Sequence, residues 1–129
     1  METQIVVSTD QAAGPFGGAP YSQAIVSSGF VFTAGQIGAK ADGSGLVGST
    51  VEEQTEQVFA NLKAILEAAG SSLDRVVKTT CFLSDLGNFS AFNEVYRRHF
   101  DGNFPARSTF GVTLPAGVLV EVEAIAAIA

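Results

Sequence analysis

Residues 118–128 read Val-Leu-Val-Glu-Val-Glu-Ala-Ile-Ala-Ala-Ile, and this stretch decides the fold. Val118, Val120, Val122 and Ala124 alternate with Leu119, Glu121, Glu123 and Ile125, the period-two pattern of a β-strand. The first row is wholly apolar and belongs against a core. The second mixes aliphatic side chains with two carboxylates, so neither side of the strand is a simple solvent face. The sheet is therefore expected to be covered by helices on one face and by another subunit on the other.

Working outward from this strand, Leu114-Pro-Ala-Gly117 reads as a turn, and Ala106 to Val112 as the strand before it. Phe89 to Phe100 reads as a helix with Phe89, Phe92, Tyr96 and Phe100 on one side. Arg97, Arg98 and His99 fall in its last turn, where positive charge suits the helix dipole. Val76 to Leu83, VVKTTCFL, is β-branched and reads as a buried strand. Thr50 and Glu53 fit a capping box. The helix they open places Val58, Leu62, Ile65, Leu66 and Ala69 on one face and ends at Gly70. Gln23 to Val26 and Phe30 to Ala34, joined by Ser27-Ser28-Gly29, read as a hairpin. Gln4 to Ser8 is a short β-type run, and the Gly/Pro-rich segment between them is a packed or mobile loop. The order is β, β-hairpin, α, β, α, β, β. Two helices can cover only one face of such a sheet. The fold class is α+β, in one domain spanning 1–129.

Composition narrows the function. The formal net charge is −6 and the sequence pI about 4.5, which disfavours nucleic acid as a partner. No run approaches the roughly 18 apolar residues of a membrane span. The N-terminus lacks the basic and apolar regions of a signal peptide, and Cys81 is alone, so the expected location is cytoplasmic with no intrachain disulfide. With one Cys and one His, no zinc site is expected, and no nucleotide or dinucleotide motif appears.

Several side chains could carry chemistry. Arg107, in FPARST at 104–109, follows a proline and opens a strand. It either pairs with a nearby acid as a surface charge or presents a fixed guanidinium fork to an anion. Glu121 and Glu123 share a strand face about 7 Å apart. They either form salt bridges or do acid–base work where an apolar wall raises one pKa. Tyr21 either caps a site or pins its loop. Gly35 permits close backbone approach. Cys81 reads as a buried, inert thiol, and His99 as a helix-end surface residue.

Taken together, APYSQAI (19–25), TAGQIG (33–38), ANLKAILEAAG (60–70), VVKTTCFL (76–83), FNEVYRRHF (92–100), FPARST (104–109) and VEVEAIA (120–126) occur in the order and rough spacing of one known family. The chain resembles the RidA/YjgF/YER057c/UK114 family over nearly its whole length, from about Gln11 to Ala129. The resemblance implies a chorismate-mutase-like fold: a mixed, mostly antiparallel sheet with two helices on one face. It also implies a homotrimer with clefts between subunits.

By the same resemblance, the activity is deamination of 2-iminobutanoate and 2-iminopropanoate, or their enamine tautomers, to 2-keto acids and ammonia. These reactive species arise from pyridoxal-phosphate enzymes, and no cofactor is required to hydrolyse them. The resemblance assigns Arg107 to the substrate carboxylate and Glu121 to a water. It places Tyr21, Gly35, Ala34, Thr109 and Asn93 in the binding set. Ala34 stands where some members have serine, and Thr109 where some have cysteine. An extra GPFGG precedes APYSQ, so the cleft rim is expected to differ. Other readings are a non-catalytic carboxylate-binding regulator, a deaminase of another enamine, aminomuconate- or pyrimidine-derived, and a ribonuclease. The acidic balance argues against the last.

Overall fold

The computed structural model describes residues 4–128. The strands are β1 (Ile5–Val7), β2 (Ala24–Ser27), β3 (Phe30–Thr33) and β4 (Gln36–Ile37), then β5 (Val76–Leu83), β6 (Ala106–Gly111) and β7 (Val120–Ala127). The helices are α1 (Val51–Ala68), between β4 and β5, and α2 (Phe89–Arg98), between β5 and β6. The sheet runs β1-β2-β3-β7-β5-β6, and β4 pairs with β7 beside this path. Every pairing is antiparallel except β5 with β6. That exception follows from α2, which carries the chain back across the sheet between two parallel strands.

Local chemistry sets the elements. At the hairpin, Ser27 pairs with Phe30, leaving a two-residue turn in which Ser28 and Gly29 both have positive φ, the geometry that matches strand twist. The α1 capping box forms in both directions. Thr50 Oγ1 accepts from the Glu53 N–H at 3.1 Å, and the Thr50 N–H donates to Glu53 Oε1 at 3.2 Å. Gly70, at φ 87°, follows the helix as its left-handed terminator. The second helix is shorter than the sequence suggests. It ends at Arg98, with His99 as C-cap, and Phe100 packs into the core from beyond the last turn.

The core lies between the helices and one sheet face. Val58, Leu62, Ile65 and Leu66 of α1 and Phe92, Val95 and Tyr96 of α2 are buried there. They meet Val120, Val122, Ala124 and Ala126 of β7 and Cys81 and Leu83 of β5. At about 25 cal/mol per Å² of apolar surface, each large side chain in this layer stabilises the fold by roughly 1.5–3 kcal/mol.

Buried amides tie loops to this core. Gln54 donates to the carbonyls of Gly48 and Gly117 and accepts from the Leu119 N–H, so one side chain ties the loop before α1 to the segment entering β7. Asn61 donates to the carbonyls of Ile37 and Ala39 and so fixes the exit of β4.

The other sheet face has no helix. Phe30, Phe32 and Phe110 are 38%, 43% and 50% exposed there. Register continues the apolar row, with Ile25 opposite Phe32 and Phe32 opposite Ile125. An apolar row of this size is unusual on a monomer surface. Among the described residues, no helix is long and apolar enough to cross a membrane.

Candidate active site

The sequence singled out Arg107 and Glu121 together, and the fold places them on opposite faces of the sheet. Arg107 opposes Thr79 on β5, and Glu121 of β7 opposes Phe82. Thr79 is buried against the helices, whereas Phe82 lies on the open face. Two interstrand steps and three residues of rise separate them, about 10 Å in each direction. They cannot share a small substrate within one protomer.

The Arg107 side is built by α2. Phe89, Phe92 and Tyr96 recur at helical spacing, so their rings line one flank. The guanidinium carbon of Arg107 sits 4.7 Å from the Tyr96 ring centroid and 5.5 Å from those of Phe89 and Phe92. Three π-faces hold the cation without neutralising it. Among the described residues Arg107 has no acidic partner, for the ion pair found is His99 with Glu56. The surface-pair reading of Arg107 therefore fails. A pocket of about 240 Å³ opens beside it, lined by Asn93, Tyr96, Arg97, Phe104, Pro105 and Arg107.

Behind the pocket, Tyr96 Oη lies 2.7 Å from Thr79 Oγ1 in a buried contact. Burial pushes the Tyr96 phenol up, so it stays protonated. Thr109 shares the Arg107 face by alternation and stands opposite Cys81. The Asn93 side-chain oxygen is buried without a hydrogen-bond partner, a costly state that a donor from outside the protomer would relieve.

The Glu121 side is built from loops. A cavity of about 540 Å³ is lined by Ala13–Gly17, Tyr21, Gly35–Ile37, Pro115 and Glu121, among others. Desolvation first, and the Glu123 carboxylate second, raise the Glu121 carboxyl above its ordinary range. A Cβ built on Gly35 would overlap the Glu121 carboxylate, so the carboxylate occupies the room a side chain would take. The neighbouring Ala34 N–H is already spent on the Gln23 carbonyl at 2.9 Å.

Tyr21 pins its loop, since its hydroxyl accepts from the Phe16 N–H at 2.8 Å, and its ring lines the same cavity. Gln23, which the sequence reading passed over, holds the loop from below. Its amide accepts from the Thr9 N–H and donates to the carbonyls of Thr9, Ala12 and Ala13. Its place in APYSQAI, beside the predicted site tyrosine, was the available signal.

The remaining candidates fall away. Cys81 is fully buried, and desolvation raises its thiol to about 11. The His99 ring is not free on the surface: it stacks on Phe59 at 4.5 Å and meets Glu56 at 3.1 Å, tying α2 to α1. Among the described residues no cluster of three or more His, Cys, Asp or Glu is placed to hold a metal.

Residues 12–128 match the protein family described as Endoribonuclease L-PSP. A human protein named 2-iminobutanoate/2-iminopropanoate deaminase is 42% identical over 94% of this chain and 88% of its own. The chain belongs to the RidA/YjgF/UK114 family. Other RidA-type relatives bear different names. A Lactococcus lactis protein named putative regulator AldR is 44% identical over 94% of this chain and 95% of its own. The structure of E. coli TdcF with bound serine superposes with a TM-score of 0.89 at 36% identity, covering 97% of this chain and 99% of that one. The RidA fold, with its mostly antiparallel sheet and two helices on one face, is thus the fold of this chain.

Proposed function

We propose that this protein is a cofactor-free deaminase of small 2-imino carboxylates and their enamine tautomers, 2-iminobutanoate and 2-iminopropanoate among them. It acts as a cytoplasmic homotrimer. The observation that carries the proposal is the Arg107 guanidinium in its aromatic cup, without an acidic partner among the described residues, with the carboxylate it would work beside on the other sheet face. A neighbouring subunit whose β6 edge docked on the apolar open face would bring its Arg107 pocket to this protomer's Glu121 cavity. The serine bound to TdcF and the name of the human relative support a small amino or imino acid as ligand.

In the complete cleft, Arg107 grips the substrate carboxylate in a bidentate, charge-assisted pair. Gly35 N–H and Asn93 supply neutral hydrogen bonds, and the Tyr21 and Thr109 hydroxyls border the reacting carbon. Ala34 adds no hydroxyl. The imine carbon is already electrophilic, so the chain has only to orient it, exclude bulk water and place one water. Glu121, made more basic by burial, takes a proton as the water oxygen bonds to C2 and the C=N pair moves to nitrogen. Glu121 hands that proton to the nitrogen to give the carbinolamine, then takes the hydroxyl proton as the carbonyl forms and passes it to the departing amine, so that ammonia leaves.

The test couples the protein to a serine or threonine dehydratase and traps residual imine with semicarbazide. Wild type should accelerate imine loss and Arg107→Ala should not. Equal traces with and without the protein would sink the proposal. The 44% identity to a relative named as a regulator favours one second reading, carboxylate binding without turnover. Tight 2-keto acid binding with no imine loss would select it.

A further inference from the structure

The Arg107 pocket contains a second cation. Arg97 lines the same cavity of about 240 Å³. Its guanidinium carbon sits 6.0 Å from the centroid of the Phe104 ring, and Phe104 in turn packs edge-on against Phe100 at 6.5 Å. Arg97 is thus steered by an aromatic surface, as Arg107 is. Among the described residues neither arginine forms an ion pair with an acid. The other four lining residues are Asn93, Tyr96, Phe104 and Pro105, so no carboxylate of the same protomer borders the cavity. In a chain of net charge −6, two guanidinium groups without acidic partners facing one small cavity form a local positive focus. A single carboxylate satisfies one of them.

From this we infer that the preferred ligands are dianions: 2-imino and 2-keto dicarboxylates of four or five carbons. Arg107 takes the carboxylate next to the reacting carbon, and Arg97 takes the one at the far end. The cavity volume is below that of ordinary drug-sized sites, which suits an acid of this length. The inference rests on the deaminase reading for the reaction, but the charge pairing it describes acts on binding alone. The two can therefore fail separately. Arg97 is a specificity-determining residue here; Arg107 and Glu121 keep their places in the chemistry.

The experiment measures calorimetric affinities for 2-ketoglutarate and 2-ketobutanoate on wild type and on Arg97→Gln, at two salt concentrations. Wild type should bind the dianion about tenfold more tightly, the worth of one charged hydrogen-bonded contact. The preference should shrink in high salt. In Arg97→Gln the ratio of the two affinities should collapse to about one. A ratio near one in wild type overturns the inference, and so does a preference that survives the substitution. Circular dichroism of the variant checks that it is folded. Absence of imine turnover by wild type, with the dianion preference intact, would remove the deaminase reading and leave this one standing.

Discussion

The two halves of the candidate site are made by opposite means. The Arg107 half is aromatic and rigid: a strand residue held by three rings projecting from one helix. The Glu121 half is a loop cradle in which glycine, proline and a buried glutamine shape the space around one carboxylate. One half holds a charge by surrounding it with π-faces, which neither desolvate it fully nor cancel it. The other raises the basicity of its charge by taking water away. Separation lets each charge keep the state its task requires. On opposite faces of the sheet, Arg107 and Glu121 form no salt bridge with each other within the protomer.

This contrast can be broken experimentally. The largest effect is expected from Arg107→Ala, which should lower kcat/KM for imine hydrolysis roughly a hundredfold or more, as two charge-assisted hydrogen bonds are lost. Arg107→Lys should recover little, because an ammonium lacks the planar fork.

Co-expression of Arg107→Ala with Glu121→Ala subunits tests the separation itself. Each alone should be nearly inactive. If one protomer's arginine works with another's glutamate, random mixed trimers should regain about a quarter of wild-type activity. No recovery would place both residues in one chain and overturn the shared cleft.

Gly35→Ala should cost about tenfold to a hundredfold in kcat, since the new methyl must displace the Glu121 carboxylate from its place.

Smaller still is an effect on stability. A carboxyl whose folded pKa is raised above its unfolded value gives stability that is present at low pH and lost as pH rises through the folded pKa. Ionised Glu121 therefore weakens the fold at neutral pH. Glu121→Gln should raise the melting temperature by about 1–3 °C at pH 7 and by less near pH 4. The smallest expected signal is from Cys81: with its thiol raised to about 11 and fully buried, iodoacetamide at pH 8 should label it only after denaturation.

Much of the fold was legible because it rests on periodicity. The alternation in β7, the α1 stripe and the Thr50–Glu53 box each correspond to what forms. What escaped was short or depended on partners distant in sequence. β4 is two residues long, and only its pairing with β7 defines it. The parallel pairing of β5 with β6 depends on how α2 crosses the sheet, and no local pattern encodes that.

The site divides in the same way. Arg107 and Glu121 were identifiable as chemistry-bearing residues, and family resemblance joined them. The sheet between them was not legible, because alternation gave Glu121 its face in β7 whereas the mixed residues of β6 gave Arg107 none. Phe89, Phe92 and Tyr96 were visible as one helix flank, yet their task as the cup for Arg107 required the return of β6 beneath them. Arg97 read only as a favourable end charge for a helix, since the cavity it faces is closed by Phe104 and Pro105 from the next segment.

The overlap between a Cβ on Gly35 and the Glu121 carboxylate also sets an order on sequence change. A lineage replacing Glu121 by something shorter can later accept a side chain at position 35, whereas a lineage acquiring that side chain first meets a clash. The two positions are bound in one direction of travel. The reverse path, regaining the carboxylate after position 35 has filled, requires that carboxylate to settle away from its present place.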